Sequence, residues 1–181
     1  MKVWKIDSKT QNIEEKDMTM QANSIYSFFN SILIDELAGM KDHIIYSDAN
    51  ALSNKERAFF IGEQLVIGDA LIIGQNGLEE CDVTIPKIDL EALINHEVNA
   101  FYTEVLEILS SSDVNLYRTF EVENGNEKLG LNIEWVLYTF NIADDRTKEY
   151  FIDGLKKVKD STKNIESYIQ KMAQLAINSA E

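Results

Sequence analysis

Cysteine and proline occur once each in this 181-residue chain, as Cys81 and Pro86, histidine twice, as His43 and His96, and arginine three times, as Arg57, Arg118 and Arg146. A single thiol excludes an internal disulfide. It also stands among Glu79, Glu80 and Asp82, and neighbouring carboxylates disfavour the thiolate that a nucleophile needs, so Cys81 is expected to be a buried strand residue. His96-Glu97-Val98-Asn99-Ala100 begins like a zinc-protease signature but places alanine where the second histidine belongs, one helical turn on. There is no Gly-x-Gly-x-x-Gly, no glycine-rich loop ending in Lys-Ser or Lys-Thr, and no Gly-x-Ser-x-Gly. Dinucleotide cradles, phosphate loops and nucleophile elbows therefore have no support, and the sequence points to no cofactor, no metal and no catalytic residue. Apolar runs such as Ile32-Leu33-Ile34 and Ala70-Leu71-Ile72-Ile73 fall far short of the roughly 20 residues that cross a bilayer. The polar start Met1-Lys2-Val3-Trp4-Lys5 lacks the apolar stretch of a secretory signal, so a soluble, cytoplasmic protein is expected.

Negative charge is what the sequence has in excess. Asp and Glu number 31 against 17 Lys and Arg, a formal net charge of −14. Residues 1–145 hold 26 of the acids and 10 of the bases, whereas residues 146–181 hold five acids and seven bases. A body this acidic repels nucleic acid and anionic membranes and favours cationic surfaces, including the grooves of proteins that themselves bind DNA or RNA. The densest carboxylates, Glu14, Glu15 and Asp17 with Glu79, Glu80 and Asp82, are the candidate partner contacts. The second triplet lacks the Asp-x-Asp-x-Asp-Gly order that wraps oxygens around calcium, so a solvated turn is its simplest reading as a cation site.

Hydrophobic content of 45% with 27% charged residues is the mixture of a folded domain, and the pattern of elements predicts an α+β fold. Lys2–Ile6 and Ile13–Glu15 around a polar turn predict a hairpin. From Asn23 or Ser24, the spacing of Ile25, Phe28, Phe29, Ile32, Leu33 and Leu37 predicts a helix that Gly39 stops. His43–Tyr46 is strand-like, and Ser53-Asn54-Lys55-Glu56 has the capping-box spacing of a short helix through Phe60. The β-branched stretch from Leu65 to Gly74, a turn at Gln75-Asn76-Gly77 and the run Cys81–Ile85 predict further strands, which Pro86 ends.

The order of hairpin, helix and strand, followed by Asn54-Lys55-Glu56-Arg57-Ala58 and Ile67-Gly68-Asp69-Ala70-Leu71-Ile72-Ile73-Gly74, resembles the small phage- and plasmid-borne family called domain of unknown function 3846. The resemblance covers roughly residues 1–95. It implies a mobile-element setting, in which small accessory proteins manage replication, conjugation or host defence, and it transfers no catalytic residue.

In the second half, Asp89 is placed to cap a helix whose stripe runs Leu90, Ile94, Val98, Phe101, Val105 and Ile108. Val114–Glu123 and Asn126–Ile133 predict a hairpin through Asn124-Gly125, with Glu121 opposite Lys128 and Phe120 opposite Leu129. Residues 133–142 fit helix or strand, with helix favoured by Ile133, Val136, Leu137 and Phe140. From Asp144 the spacing of Phe151, Leu155, Val158, Thr162, Ile165, Ile169, Met172 and Ala176 continues a helical stripe. It reads either as two core helices broken near Asp160-Ser161 or as a self-associating coil through Phe151, Leu155, Val158, Ile165, Ile169 and Met172. Lys156, Lys157, Lys159 and Lys163 form its wet face and are equally able to dock onto the acidic body. The expected organisation is an acidic α+β domain over residues 1–142 with a helical extension over 143–181.

The leading functional expectation is a non-enzymatic mobile-element protein that binds a basic, nucleic-acid-binding host protein, such as a restriction or CRISPR effector, as a counter-defence inhibitor. The alternatives are an oligomeric accessory module whose acidity serves solubility, and an enzyme whose residues are gathered from distant segments.

Overall fold

The computed structural model of the chain describes residues 1–19, 21, 23–109, 116–117, 122–123, 126–127, 131–158, 167–168, 171–172, 174–175 and 178. The architecture is α+β with antiparallel sheets, and the chain divides into two compact units, Met1–Glu97 and Val98–Glu181. Among the described residues no helix is long and apolar enough to cross a membrane.

The first unit opens with the expected hairpin, β1 (Lys2–Asp7) and β2 (Asn12–Asp17), whose turn is closed by the Lys9 and Thr10 amides donating to Asp7 Oδ1 at 3.0 and 2.8 Å. A short helix, α1 (Ser24–Phe29), follows, and then β3 (Ile34–Met40) and β4 (His43–Asp48). The helix expected to reach residue 38 thus stops nine residues early. Asn30 takes the left-handed conformation (φ 50°, ψ 39°), and its amide and that of Ser31 turn back onto the Ser27 and Tyr26 carbonyls. Asparagine tolerates that conformation and so makes a helix terminator. Ile32, Leu33 and Leu37 happen to continue the helical phase although they belong to a loop and a strand.

Residues 50–55 form turns, and β5 (Ala58–Ile61) then pairs with β6 (Gln64–Ile67). The helix expected through Phe60 is therefore absent: Ala58-Phe59-Phe60-Ile61 is buried at every position, the mark of a strand covered on both faces rather than an amphipathic turn. Gly68, at φ 82°, makes the turn into β7 (Ala70–Asn76), and β8 (Glu79–Cys81) returns along β7. Only Cys81 of the run expected as a strand over 81–85 is in β8, and it is half-buried.

The helix expected from Asp89 to residue 109 is two helices. After α2 (Lys87–Leu93) the chain extends as β9 (Ile94–Asn95), which pairs with β5, before α3 (Val98–Leu109) begins in the second unit. Asn95 Oδ1 accepts the Glu97 amide at 2.9 Å, an Asx turn that competes with helix continuation. Pro86, rather than Asp89, stands at the start of α2.

The main sheet has the order β2-β1-β7-β4-β3, with β8 also on β7, and a second sheet has the order β6-β5-β9. Alternation along the strands sends Trp4, Ile6, Ile45, Ala70 and Ile72 to one face, where they pack with Phe59, Ile61, Val66 and Leu90. Val3, Ile44, Tyr46, Leu71 and Ile73 form the other face, covered by Ile25, Phe28 and Phe29 of α1.

The second unit contains α3, the two-residue strands β10 (Leu116–Tyr117), β11 (Val122–Glu123), β12 (Asn126–Glu127) and β13 (Leu131–Asn132), then α4 (Ile133–Ile142) and α5 (Asp145–Val158). Residues 133–142 are thus helical. Val122 pairs with Glu127 and Glu123 with Asn126, the register an Asn124-Gly125 turn requires, while that turn and the pairs Glu121–Lys128 and Phe120–Leu129 lie outside the described residues. β10 and β13 pair in parallel. Val98, Phe101, Val105 and Ile108 of α3 are buried as their spacing predicts, with the Phe101 ring stacked on Phe140 and 5.5 Å from that of Phe151. The Tyr102 hydroxyl is buried without a partner among the described residues, and burial pushes its pKa up to about 12. Asp144 caps α5 through its Oδ1, which accepts the Thr147 amide at 2.7 Å.

Gly154, which looks like a weak point in a helix, makes room for a ring: a Cβ there would overlap Tyr168, whose hydroxyl donates to the Tyr150 carbonyl at 2.6 Å. Helix propensity alone favours Gly154→Ala by about 1 kcal/mol, but displacing a packed ring costs about 1–3 kcal/mol. Gly154→Ala should therefore lower the urea midpoint of the unit that contains it, and a raised midpoint would show that the ring does not seat there.

Candidate functional site

The six candidate carboxylates come from β2 and from the β7–β8 hairpin with its exit. β7 joins these two regions. One of its edges is shared by β1, which pairs with residues 70–72, and β8, which pairs with residues 74–76, so the start of β1 meets the exit from β8. The Lys2 amide donates to Asp82 Oδ1 at 2.9 Å, and the Val83 amide donates to the Lys2 carbonyl at 2.9 Å. Across the hairpin Lys2 stands opposite Asp17, and its ammonium pairs with Glu15 Oε1 at 2.7 Å. Three carboxylates from segments some 65 positions apart thus gather around one lysine at the rim of the sheet. Its pKa is raised, first by the hydrogen bond and charge of Glu15 and then by Asp17 and Asp82, against the opposing effect of desolvation. One ammonium facing three carboxylates leaves the rim negative.

Three features hold this junction. Gly74 lets the chain cross closely, since a Cβ there would overlap the Asp82 carbonyl. His43 clamps the segment beyond: its Nε2 accepts the Thr84 and Ile85 amides, both at 3.2 Å, which leaves Nδ1 to donate to the Lys41 carbonyl at 2.8 Å. The Trp4 indole adds a bond from Nε1 to the Ile85 carbonyl at 2.9 Å. His43 is therefore a structural residue, buried in the fold.

The other three carboxylates are elsewhere. Glu14 leaves the opposite face of β2 and pairs with Lys16 at 3.1 Å. Glu80 accepts the Tyr46 hydroxyl at 3.2 Å on the α1-covered face, where burial, reinforced by Glu80 and then Glu36, raises the Tyr46 pKa well above its ordinary value. Glu79 is exposed beside Leu78 at the tip of the β7–β8 hairpin. Among the described residues no group of three or more His, Cys, Asp or Glu is placed to hold a metal ion. Lys2, Tyr46 and Glu36 were missed from sequence. Lys2 shows no motif, and its importance follows only from a strand order that places residues 2 and 82 side by side.

In the second unit, Phe151, Leu155 and Met172 are buried, and Phe151 lies 6.0 Å, ring to ring, from Tyr168. The Val158 side chain, Ile165, Ile169 and the break expected near Asp160-Ser161 lie outside the described residues. Lys156 pairs with Glu104 of α3 at 3.2 Å, so part of the basic face neutralises acid within its own unit.

His96, directly after β9, is half-buried, with its ring 5.3 Å from that of Phe59. Burial, with the Arg57 guanidinium adding to it, holds its pKa below the ordinary imidazole value. No protein-family model, curated protein or solved structure matches the chain.

A histidine with a lowered folded pKa is protonated more readily in the unfolded chain, so its contribution is complete above about pH 6.5 and is lost as pH falls below that value. The urea midpoint should therefore drop on acidification from about pH 7.5 to about pH 5.5, and His96→Asn should flatten the drop. An unchanged slope in the variant would contradict the assignment.

Proposed function

We propose that the protein is a non-enzymatic interaction module that docks a basic protein surface through the acidic rim around Lys2, and that its partner is a host protein whose own ligand is nucleic acid. The observation that carries this reading is the gathering of Glu15, Asp17 and Asp82 around a single ammonium at an exposed sheet edge. The Lys2–Glu15 pair is about half exposed on both sides, and such pairs contribute little, so it does not cancel the surrounding field. Residues 1–97 carry 17 acidic and eight basic side chains, which extends attraction beyond the rim itself. Long-range steering brings the basic surface in, and carboxylates then take the place of phosphates. The mobile-element setting implied by the resemblance of residues 1–95 fits a counter-defence role, in which an inhibitor occupies the nucleic-acid groove of a restriction or CRISPR effector.

The test is capture from host lysate on the immobilised full chain at about 0.05 M and about 0.3 M salt, conditions that shorten the screening length by more than half. Nucleic-acid-binding proteins should be retained at low salt, released at high salt and displaced by a DNA duplex. Asp17→Lys with Asp82→Lys should abolish the retention. Retention that ignores both salt and charge reversal would remove the electrostatic basis of the proposal.

A further inference from the structure

The two faces of α1 differ in chemistry. Ile25, Phe28 and Phe29 turn onto the sheet and pack against the face that carries Ile44, Leu71 and Ile73. Asn23, Tyr26, Ser27 and Asn30 recur at the complementary helical spacing, and all four are exposed. With Ser31 and Ile32 of the following loop they wall an open concavity of about 560 Å³, within the size range of small-molecule clefts.

Parts of this wall are fixed in advance. Asn30 is held in the left-handed conformation, with its backbone amide bonded to the Ser27 carbonyl at 3.3 Å. The Ser31 hydroxyl donates to Asp48 Oδ1 at 2.7 Å and accepts from Asn50 Nδ2 at 3.1 Å, which ties the loop to the end of β4. Asn23 makes no side-chain capping bond to the helix, so its carboxamide is not spent there. The apolar parts of the wall face water, with Tyr26 45% and Ile32 86% exposed.

An aromatic ring beside an aliphatic group, flanked by carboxamides and hydroxyls, matches a pyranose. Such a sugar carries C–H groups on its faces and hydroxyls around its edge, and two adjacent hydroxyls pair with the acceptor and donor ends of one carboxamide. Charge narrows the class. Among the described residues no wall is charged, and residues 1–97 carry 17 acidic against eight basic side chains, so phosphates, sulfates and uronates are disfavoured. We propose that the concavity binds a neutral saccharide, with one pyranose ring against Tyr26 and Ile32 and its vicinal hydroxyls bonded by Asn23 and Asn30. This inference concerns α1 and its loop and does not rest on the rim around Lys2.

The probes are three neutral disaccharides, cellobiose, lactose and maltose, each titrated into the isotopically labelled full chain beside its uronic-acid form. At least one should shift the amide resonances of residues 23–32 with a Kd of about 1 mM, and its uronic-acid form should bind at least about tenfold more weakly. Tyr26→Ala should weaken binding about tenfold through the lost ring contact. Asn30→Gly keeps the left-handed backbone and removes the carboxamide. It should weaken binding while the resonances of β3 and β4 stay in place, and Asp17→Lys with Asp82→Lys should leave the sugar-induced shifts intact. Methyl glycosides separate the sources: undiminished affinity assigns the site to a sugar linked in a glycan, and lost affinity to a free sugar. No shift with any of the three, shifts only outside residues 23–32, equal binding by the uronic-acid form, or indifference to both Tyr26→Ala and Asn30→Gly would each overturn the proposal. If the sugars fail while salt-sensitive capture through the Lys2 rim persists, the saccharide site alone is lost.

Discussion

The two-sided ladder of β7 is the constraint on which the rest of the first unit depends. Leu71 and Ile73 are buried on one face of the sheet and Ala70 and Ile72 on the other, all at 0% exposure, so the strand can neither slip nor flip without turning a buried set into water. With its register fixed, β4 occupies one edge, and β1 and β8 share the other. The contact between residues 2 and 82 is a consequence of that shared edge, and so is the position of β3 at the far side of β4. Local chemistry then secures the arrangement, through the glycine at 74 that allows the crossing and the His43 imidazole that accepts two amides from the strap beyond β8.

How much of this was legible in the sequence depended on whether a signal was local. The first hairpin, β4, β7 and the α3 stripe follow from alternation and helical spacing, and the structure has them where those periods put them. The two misjudged helix lengths share one cause. Ile32, Leu33 and Leu37 keep the phase of α1 beyond its end, and Leu90 and Ile94 keep the phase of α3 before its start, so a spacing rule joins elements that the backbone separates. Asn30-Ser31 and Asn95 carried the stop signals, each a short polar side chain or left-handed residue that competes with helix propagation. Buried strands such as β5 and a capped short helix also look alike over four residues, and tertiary burial decided in favour of the strand.

The candidate site was half legible. Composition identified the carboxylates, and counting could go no further, because which of them share a rim is set by strand order. Glu15, Asp17 and Asp82 come together, Glu80 is turned to the other face by the pleat, and Glu14 is taken up by Lys16. In the same way the apolar stripe of α5 gave the buried face, which carries Phe151 and Leu155. The first unit is accordingly a scaffold whose densest run of charged side chains lies along the β2 edge of its main sheet.

The claim most exposed to direct measurement is that three carboxylates surround Lys2. A site-resolved NMR titration of the lysine ammonium groups should find Lys2 titrating above its ordinary value, with the elevation reduced most by Glu15→Gln and less by Asp17→Asn and Asp82→Asn. A Lys2 that titrates at the ordinary lysine value, unmoved by all three substitutions, would show that the rim is not assembled as described and would contradict the account.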